Sequence, residues 1–335
     1  MKAFFTRVFQ CLALILFVGL VGGVLAHAAH AQLPRDGTLA IMVPYPAGGA
    51  SDIIARTVSA SLAEKLGRPV VVENLGGASG AIAARKVLNA PANGLYLYQG
   101  TPNELILSPL VNSALKISPD DFQLVQLNTY TPIVLVARAT LSANTTDELI
   151  TLARQSSKTQ PLNYGSVGPG SLYHLLAERL GQTIGATMTH VPYKGGAPLL
   201  QDMAGDNVDF AFLPYYAAID GMVAAGRIKI IGQASATRAQ TLPNIPTMTE
   251  GKLLKNFYFT VWGGYLVKKG TPPAVQTQLF NALQAVMAEP KVRETLVANS
   301  MIVGKPMTLE EAAKFYVNEA LVYQKLVKDV GIQRQ

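Results

Sequence analysis

The sequence predicts an α/β protein of two domains, in which mainly parallel sheets are flanked by helices and domain two is inserted into domain one. Short β-rich runs alternate with helical patterns from Leu39 onward, as they do in βαβ units. A chain of 335 residues is also near the upper size for a single hydrophobic core. The block beyond Pro246 has too few strands to form a domain alone, so we expect it to rejoin the first.

The first series of elements follows from hydrophobic periodicity. Ser51 to Leu66 is predicted as a helix because Ile54, Val58 and Leu62 recur every four residues and Gly67 ends the pattern. The other elements in this part are strands at Leu39 to Val43, Val70 to Glu73, Leu95 to Gln99 and Ile133 to Ala137, and a helix at Ser79 to Asn89.

The second series opens with a helix whose Thr145 and Glu148 have the spacing of a capping box. Its further strands are predicted at Leu162 to Gly165, Thr187 to Val191, Phe210 to Leu213 and Ile228 to Ala234, with helices at Ser171 to Gly181 and Ala197 to Gly205. The third block contains a strand at Phe257 to Val267 and helices at Pro273 to Ala288, Pro290 to Asn299 and from Thr308 onward. We assign residues 32–136 and 246–335 to domain one and residues 137–245 to domain two.

The first 31 residues have the pattern of a secretory signal peptide. Lys2 and Arg7 precede an apolar run that is shorter than the roughly 20 residues needed to span a bilayer, and Ala29-His30-Ala31 follows it. We expect cleavage after Ala31 and a periplasmic location. The one cysteine, Cys11, lies within this segment, so neither a disulfide nor a lipid anchor on cysteine is expected in the mature chain.

The remaining chain has few of the side chains that hold metals or nucleic acids. Without Lys2 and Arg7 it has 26 basic and 21 acidic residues and no long basic run, which argues against nucleic-acid binding. Only His174 and His190 remain as histidines, so we expect neither a metal site nor a cofactor. The motifs of nucleophile elbows, P-loops and dinucleotide sites are also missing.

Four glycine-rich loops lie where a predicted strand gives way to a helix. Loop one covers residues 46–51, loop two 76–80, loop three 166–171 and loop four 194–197. Glycine leaves main-chain N–H groups uncovered, and the helix that follows adds partial positive charge, so such loops suit carboxylates. In open α/β sheets ligands bind beyond the carboxyl ends of the strands, where these loops should lie.

Each of these loops also has an ordinary explanation, since glycine and serine are common where a helix is capped and packed on a sheet. Asp52 is either a first-turn acid that complements the helix dipole or a side chain that orients loop one and meets a ligand amino group. We expect His174 to pack and form hydrogen bonds rather than to catalyse, and Trp262 to belong to the core.

The sequence resembles the solute-binding proteins of tripartite tricarboxylate transporters, often called the Bug family. The matching segments are Val43 to Gly49 with Asp52, Val71 to Asn74, Asn163 to Ser166 with Gly168, Gly170, Ser171 and His174, His190 to Gly195, Leu242 to Thr247 with Glu250, and Gly270 to Pro273. They keep their order through nearly the whole chain beyond residue 31.

The resemblance implies a two-domain periplasmic binding protein fold, a type II-like clamp that closes on carboxylated solutes. In the family, the loop that matches loop one is the part of domain one that faces the ligand, and the loop that matches loop three is the corresponding part of domain two. The stretch Thr101 to Glu104 falls where the contacts that set ligand specificity vary. The candidate ligand-binding residues are Tyr45, Ala47, Gly48, Gly49, Ser51, Asp52, Thr101, Asn103, Ser166, Val167, Gly168, Gly170, Ser171 and Pro214.

We therefore predict a monomeric protein that captures a small carboxylate by hinge closure and delivers it to cognate membrane permease subunits. A dicarboxylate is favoured because two opposed anion-binding loops can each bind one of its two carboxylates. Two alternatives stay open: a ligand sensor for a membrane receptor kinase, and a periplasmic hydrolase or isomerase that uses Asp52 or His174 as base.

Overall fold

Ten strands form the framework of the protein. The structure, a computed structural model, describes residues 32–331, and the predicted signal peptide, residues 1–31, lies outside them. The strands are β1 (Leu39–Val43), β2 (Val70–Asn74), β3 (Tyr96–Gly100), β4 (Phe122–Arg138), β5 (Asn163–Ser166), β6 (Thr189–Pro192), β7 (Phe210–Pro214), β8 (Ile228–Gln233), β9 (Thr260–Lys268) and β10 (Ile302–Val303).

The part of the chain that the structure describes has ten α-helices. They are α1 (Ala50–Leu66), α2 (Ala81–Asn89), α3 (Ser108–Val111), α4 (Thr146–Ser156), α5 (Leu172–Ile184), α6 (Gly196–Ala204), α7 (Ala217–Ala224), α8 (Pro273–Ala288), α9 (Pro290–Ala298) and α10 (Leu309–Val330). Eight of these ten helices were predicted, with small shifts at their ends, whereas α3 and α7 were not. Among residues 32–331 no helix combines the length and apolar character that crossing a membrane requires.

The strands lie in the order β2-β1-β3-β9-β4-β7-β5-β6, while β8 and β10 both pair with β4. Strands β1, β2 and β3 pair in parallel, and so do β5, β6 and β7. The prediction of mainly parallel sheets therefore holds for the strands that carry the four loops. Strands β4, β8, β9 and β10 instead form antiparallel pairs, so the prediction of parallel sheets fails for this central part.

Strand β4 joins the two series. Its pairing changes between Pro132, opposite Thr260 of β9, and Ile133, opposite Pro214 of β7. The predicted strand at residues 133–137 is therefore one end of a 17-residue strand. We call the part with β1, β2, β3, β9, β10 and residues 122–132 lobe one, and the part with residues 133–138 and β5 to β8 lobe two.

The third block of the sequence rejoins lobe one, as predicted. Strand β9 pairs with both β3 and β4. Helix α8 packs on α1, so Leu279 and Leu283 share one apolar cluster with Val58 and Leu62. This packing holds the first turn of α1 at the edge of the sheet that faces lobe two.

Candidate functional site

A cavity of about 50 Å³ lies between the lobes, where the loops after β1, β3, β5, β6 and β7 meet. This is the edge formed by the carboxyl ends of the parallel strands, which is where ligands bind in open α/β sheets. No Asp, Glu, His, Lys or Arg side chain is among the residues 32–331 that line it. The lining is therefore neutral, with main-chain groups, hydroxyls, amides and aromatic rings.

Half of the predicted ligand-binding residues line this cavity. Lobe one contributes five of them, namely Tyr45, Gly49, Ser51, Thr101 and Asn103, and lobe two contributes Val167 and Pro214. The other seven predicted residues, Ala47, Gly48, Asp52, Ser166, Gly168, Gly170 and Ser171, do not line it. Ala47 is exposed, and the other six form hydrogen bonds within loops one and three or to the helices that follow them.

The carboxylate of Asp52 organises loop one. Its Oδ2 accepts a hydrogen bond from the N–H of Gly48 at 2.9 Å, and its Oδ1 accepts from Arg56 Nε and Asn74 Nδ2, both at 3.0 Å. Burial tends to raise the pKa of Asp52, but the hydrogen bonds from Arg56, Gly48 and Asn74 outweigh it and lower the pKa. Asp52 therefore orients loop one, and the prediction that Gly48 offers a free N–H group to a ligand is wrong.

We expect Asp52→Ala to lower the free energy of unfolding by about 1–3 kcal/mol, because it leaves the Gly48 N–H without its acceptor and removes a bond of Asn74. Urea denaturation measures this change. Glu310→Ala, which removes an exposed pair with Lys314 on α10, is the control and should stay within about 0.5 kcal/mol of the parent protein. Equal effects of the two substitutions would contradict this role of Asp52.

A second network lies behind the cavity wall, around the fully buried Glu104. Tyr45 OH and Thr101 Oγ1 donate to Glu104 Oε2 at 2.9 and 2.8 Å, and the Thr101 N–H donates to Oε1. Burial raises the pKa of Glu104 to about 7, although the hydrogen bonds from Thr101 and Tyr45 act in the opposite direction. Asn103 joins the lobes, since its Nδ2 donates to Tyr45 OH at 3.1 Å and its Oδ1 accepts from the Leu172 N–H at 2.8 Å.

The glycine-rich loops contact each other in combinations that the sequence does not predict, loop one with loop four and loop two with loop three. Pro46 of loop one packs against loop four, where a Cβ on Gly195 would lie 2.7 Å from the Pro46 side chain. Ser79 of loop two donates through Oγ to the carbonyl oxygen of Pro169 in loop three at 2.8 Å. Loops one and three nevertheless both contribute residues to the cavity.

Loop three packs against lobe one and stabilises its own turn. Ser166 Oγ accepts from the Gly168 N–H at 3.1 Å, and Ser171 Oγ caps α5 by accepting from the His174 N–H at 3.4 Å. A Cβ on Gly168 would lie 2.4 Å from Ser79 Oγ, so glycine is required where loops two and three touch. These contacts explain why the loop contributes Val167 alone to the cavity lining.

The two histidines among residues 32–331 form a half-buried stack beneath loop three. The rings of His174 and His190 lie 4.1 Å apart, and Nδ1 of His174 accepts from the Gly170 N–H at 3.1 Å. Burial lowers the pKa of each to about 4. Neither ring lines the cavity, so the arrangement agrees with a packing role for His174 and does not support its use as a catalytic base.

Several cavity residues were not predicted. They include Gln99 at the end of β3, Thr129 on β4, Gly196 at the start of α6, and Tyr173, Tyr216 and Trp262. Gly196 lies in loop four, which was recognised as a possible anion-binding loop but not included among the candidate residues. Trp262 was expected in the core, and at 2% exposure it is buried while also lining the cavity.

The first turns of two helices reach the cavity from opposite lobes. In α1 the N–H groups of Asp52 and Ile53 donate to the carbonyl oxygen of Gly49. Ala50 and Ser51 line the cavity, and their N–H groups come too early in the helix to have an acceptor within it. Gly196 begins α6 on the other side. Fold and site together are those of a two-lobed binding protein with a cavity between its lobes.

Comparison with known proteins identifies the family. The model of the tripartite tricarboxylate transporter family receptor matches residues 54–332, and the chain belongs to this family. The structure is similar to that of the periplasmic binding protein BugD, with a TM-score of 0.80 and 28% identity, covering 89% of this chain and 99% of that one. The predicted family and the predicted binding-protein fold are thereby confirmed.

Two similar structures contain a bound acid. MatC from Rhodopseudomonas palustris with bound malate has a TM-score of 0.80 and 27% identity, covering 87% of this chain and 98% of that one. Rpa4515 from R. palustris with adipate has a TM-score of 0.82 and 28% identity, covering 90% of this chain and 99% of that one.

Proposed function

We propose that this protein captures a small carboxylate, preferably a dicarboxylate, in the cavity between its lobes and delivers it to a tripartite tricarboxylate-type membrane transporter. One observation carries the proposal: the first turns of α1 and α6, from opposite lobes, line one neutral cavity. Such helix starts attract anions through their N–H groups and their dipoles. The dicarboxylates named for MatC and Rpa4515 support the same ligand class.

The contacts that we propose come from both lobes. The N–H groups of Ala50 and Ser51 donate to one carboxylate from lobe one, and Gly196 N–H and Tyr216 OH approach from lobe two. Tyr45, Thr101 and Asn103 shape the wall between them and link it to the lobe-two helix α5. A cavity of about 50 Å³ favours a short acid, since one water-sized group needs roughly 10–15 Å³ by this measure.

Closure is the proposed means of capture. The proposed domains, residues 32–136 with 246–335 and residues 137–245, follow lobe one and lobe two except at residues 133–136 of β4. They are joined by β4 and by the return before β9. A ligand that contacts both lobes binds the closed arrangement better than an open one and so shifts the population toward closure. We propose that the protein acts in the periplasm after cleavage at Ala31 and works as a monomer with permease subunits of the membrane.

Calorimetric titration with succinate, malate, glutarate and adipate tests the proposal, together with small-angle scattering of the same samples. We expect micromolar binding of at least one acid and a smaller radius of gyration in its presence. An absence of binding for all four would contradict the proposed ligand class. A binding acid that leaves the scattering profile unchanged would contradict closure.

A further inference from the structure

Among the buried side chains that line the cavity, three have a hydroxyl or amide group whose donor atom has no protein partner. Gln99, Thr129 and Tyr216 are each at most 1% exposed. Within residues 32–331, Gln99 Nε2, Thr129 Oγ1 and Tyr216 OH form no hydrogen bond. Buried polar groups are nearly always paired, so three of them around one cavity point to polar atoms of a ligand.

Two of these groups converge on one point in lobe one. A Cβ built on Gly263 of β9 would lie 3.2 Å from Gln99 Nε2 and 3.6 Å from Thr129 Oγ1. Because Gly263 has no side chain, both groups border space that a side chain would otherwise fill, and this space over Gly263 is where a ligand oxygen would approach both donors. Gly263 itself lines the cavity.

The surrounding structure holds both groups in this orientation. Gln99 Oε1 accepts from Asn128 Nδ2 at 2.8 Å, which turns Nε2 away from Asn128 and toward Gly263. The register of β4 against β9 shifts between Leu127 and Thr129, and such bulges redirect side chains beside binding sites. Gln99 therefore offers only a donor here, and Thr129 offers a hydroxyl that can donate.

We propose that Gln99 and Thr129 form the subsite for the second carboxylate of the ligand and set the preference for dicarboxylates over monocarboxylates. This inference rests on the proposed function, in which the first carboxylate lies at the helix starts. A carboxylate only accepts hydrogen bonds, and the unpartnered groups supply donors without any cation. The preference thus depends on two neutral side chains rather than on an arginine.

Matched acids test the subsite by calorimetric titration. Succinate and adipate are compared with butyrate and hexanoate, in which a methyl group replaces one carboxylate, and with β-alanine, in which an ammonium group does. Thr129→Val removes the hydroxyl at nearly constant shape, and Gln99→Met removes the amide. Each should weaken binding of the preferred dicarboxylate by roughly 10–100-fold while leaving its monocarboxylate within about twofold.

Two further variants keep the test decisive. Gly263→Ala fills the point between the two donors but removes neither, and should also cause selective loss of dicarboxylate binding. Thr271→Val changes a buried threonine whose Oγ1 donates to the Lys268 carbonyl oxygen outside the cavity, and should leave all affinities unchanged. If the three site variants keep the parent ratio of dicarboxylate to monocarboxylate affinity, or if β-alanine binds better than butyrate, the subsite is overturned while the proposed function stands. A parent protein that binds none of the four dicarboxylates succinate, malate, glutarate and adipate would overturn both.

Discussion

Gly170→Ala is expected to weaken carboxylate binding by roughly 10–100-fold. A Cβ at this position would lie 2.1 Å from Val111 Cγ2 and 3.4 Å from Ser108 Cα of lobe one, so the added methyl group forces the lobes apart at loop three. The Asn103 bond to the Leu172 N–H crosses the same interface. Because the apparent affinity falls with the fraction of molecules that can close, the loss appears in the dissociation constant.

Gly185→Ala is the matched control. Gly170 and Gly185 both have positive φ, +75° and +66°, but a Cβ on Gly185 meets no heavy atom within 4 Å. Both substitutions carry a backbone penalty of about 1–2 kcal/mol, which thermal denaturation measures. Only Gly170→Ala should reduce affinity in calorimetry and leave the scattering profile expanded when ligand is added. Equal affinities of the two variants would contradict the closed interface.

Carboxylate binding is expected to weaken as the pH rises from 6 to 8, and Glu104→Gln is expected to abolish this dependence. Burial raises the pKa of Glu104 to about 7, so the side chain changes from mostly neutral to mostly charged over this range. Its carboxyl group lies directly behind Tyr45 and Thr101 of the cavity wall. A charge there repels an anionic ligand by about 2 kcal/mol at 6–8 Å in a medium of intermediate dielectric, which corresponds to roughly a 30-fold loss of affinity.

The same group makes stability depend on pH with a definite sign. The folded pKa of Glu104 lies above the unfolded value of 4.5, so the native state binds more protons between these two values than the unfolded state does. Its contribution to stability is therefore complete below about pH 4.5 and is lost as the pH rises to about 7, by on the order of 3 kcal/mol. Unfolding curves of the parent protein and of Glu104→Gln should diverge over this window.

Glu310→Gln serves as the control for both measurements, because Glu310 is an exposed residue of α10 that does not line the cavity. It should keep the pH dependence of the parent protein in binding and in unfolding. A pH dependence of binding that persists in Glu104→Gln would assign the effect to another group.

The sequence by itself determined most of the elements, the family and seven of the 19 residues that line the cavity. The four-residue spacing of Ile54, Val58 and Leu62 predicted α1 to within one residue, because an amphipathic helix must repeat its apolar face every turn. The glycine-rich loops were predictable for a similar local reason, since a strand that turns into a helix needs small residues with free N–H groups. Tyr45, Gly49 and Ser51 could thus be placed at the site.

Only the tertiary structure decided which loops touch and which side chains face the ligand. Gln99 and Thr129 lie far apart in sequence and belong to strands that look like ordinary core, and they converge only because β9 inserts between β3 and β4. The glycine-rich sequence of loop one predicts that Gly48 contacts the ligand, but in the structure the Gly48 N–H donates to the carboxylate of Asp52. Local periodicity determines secondary structure, whereas a binding site is built from contacts between distant segments, and those depend on the packing of the whole chain.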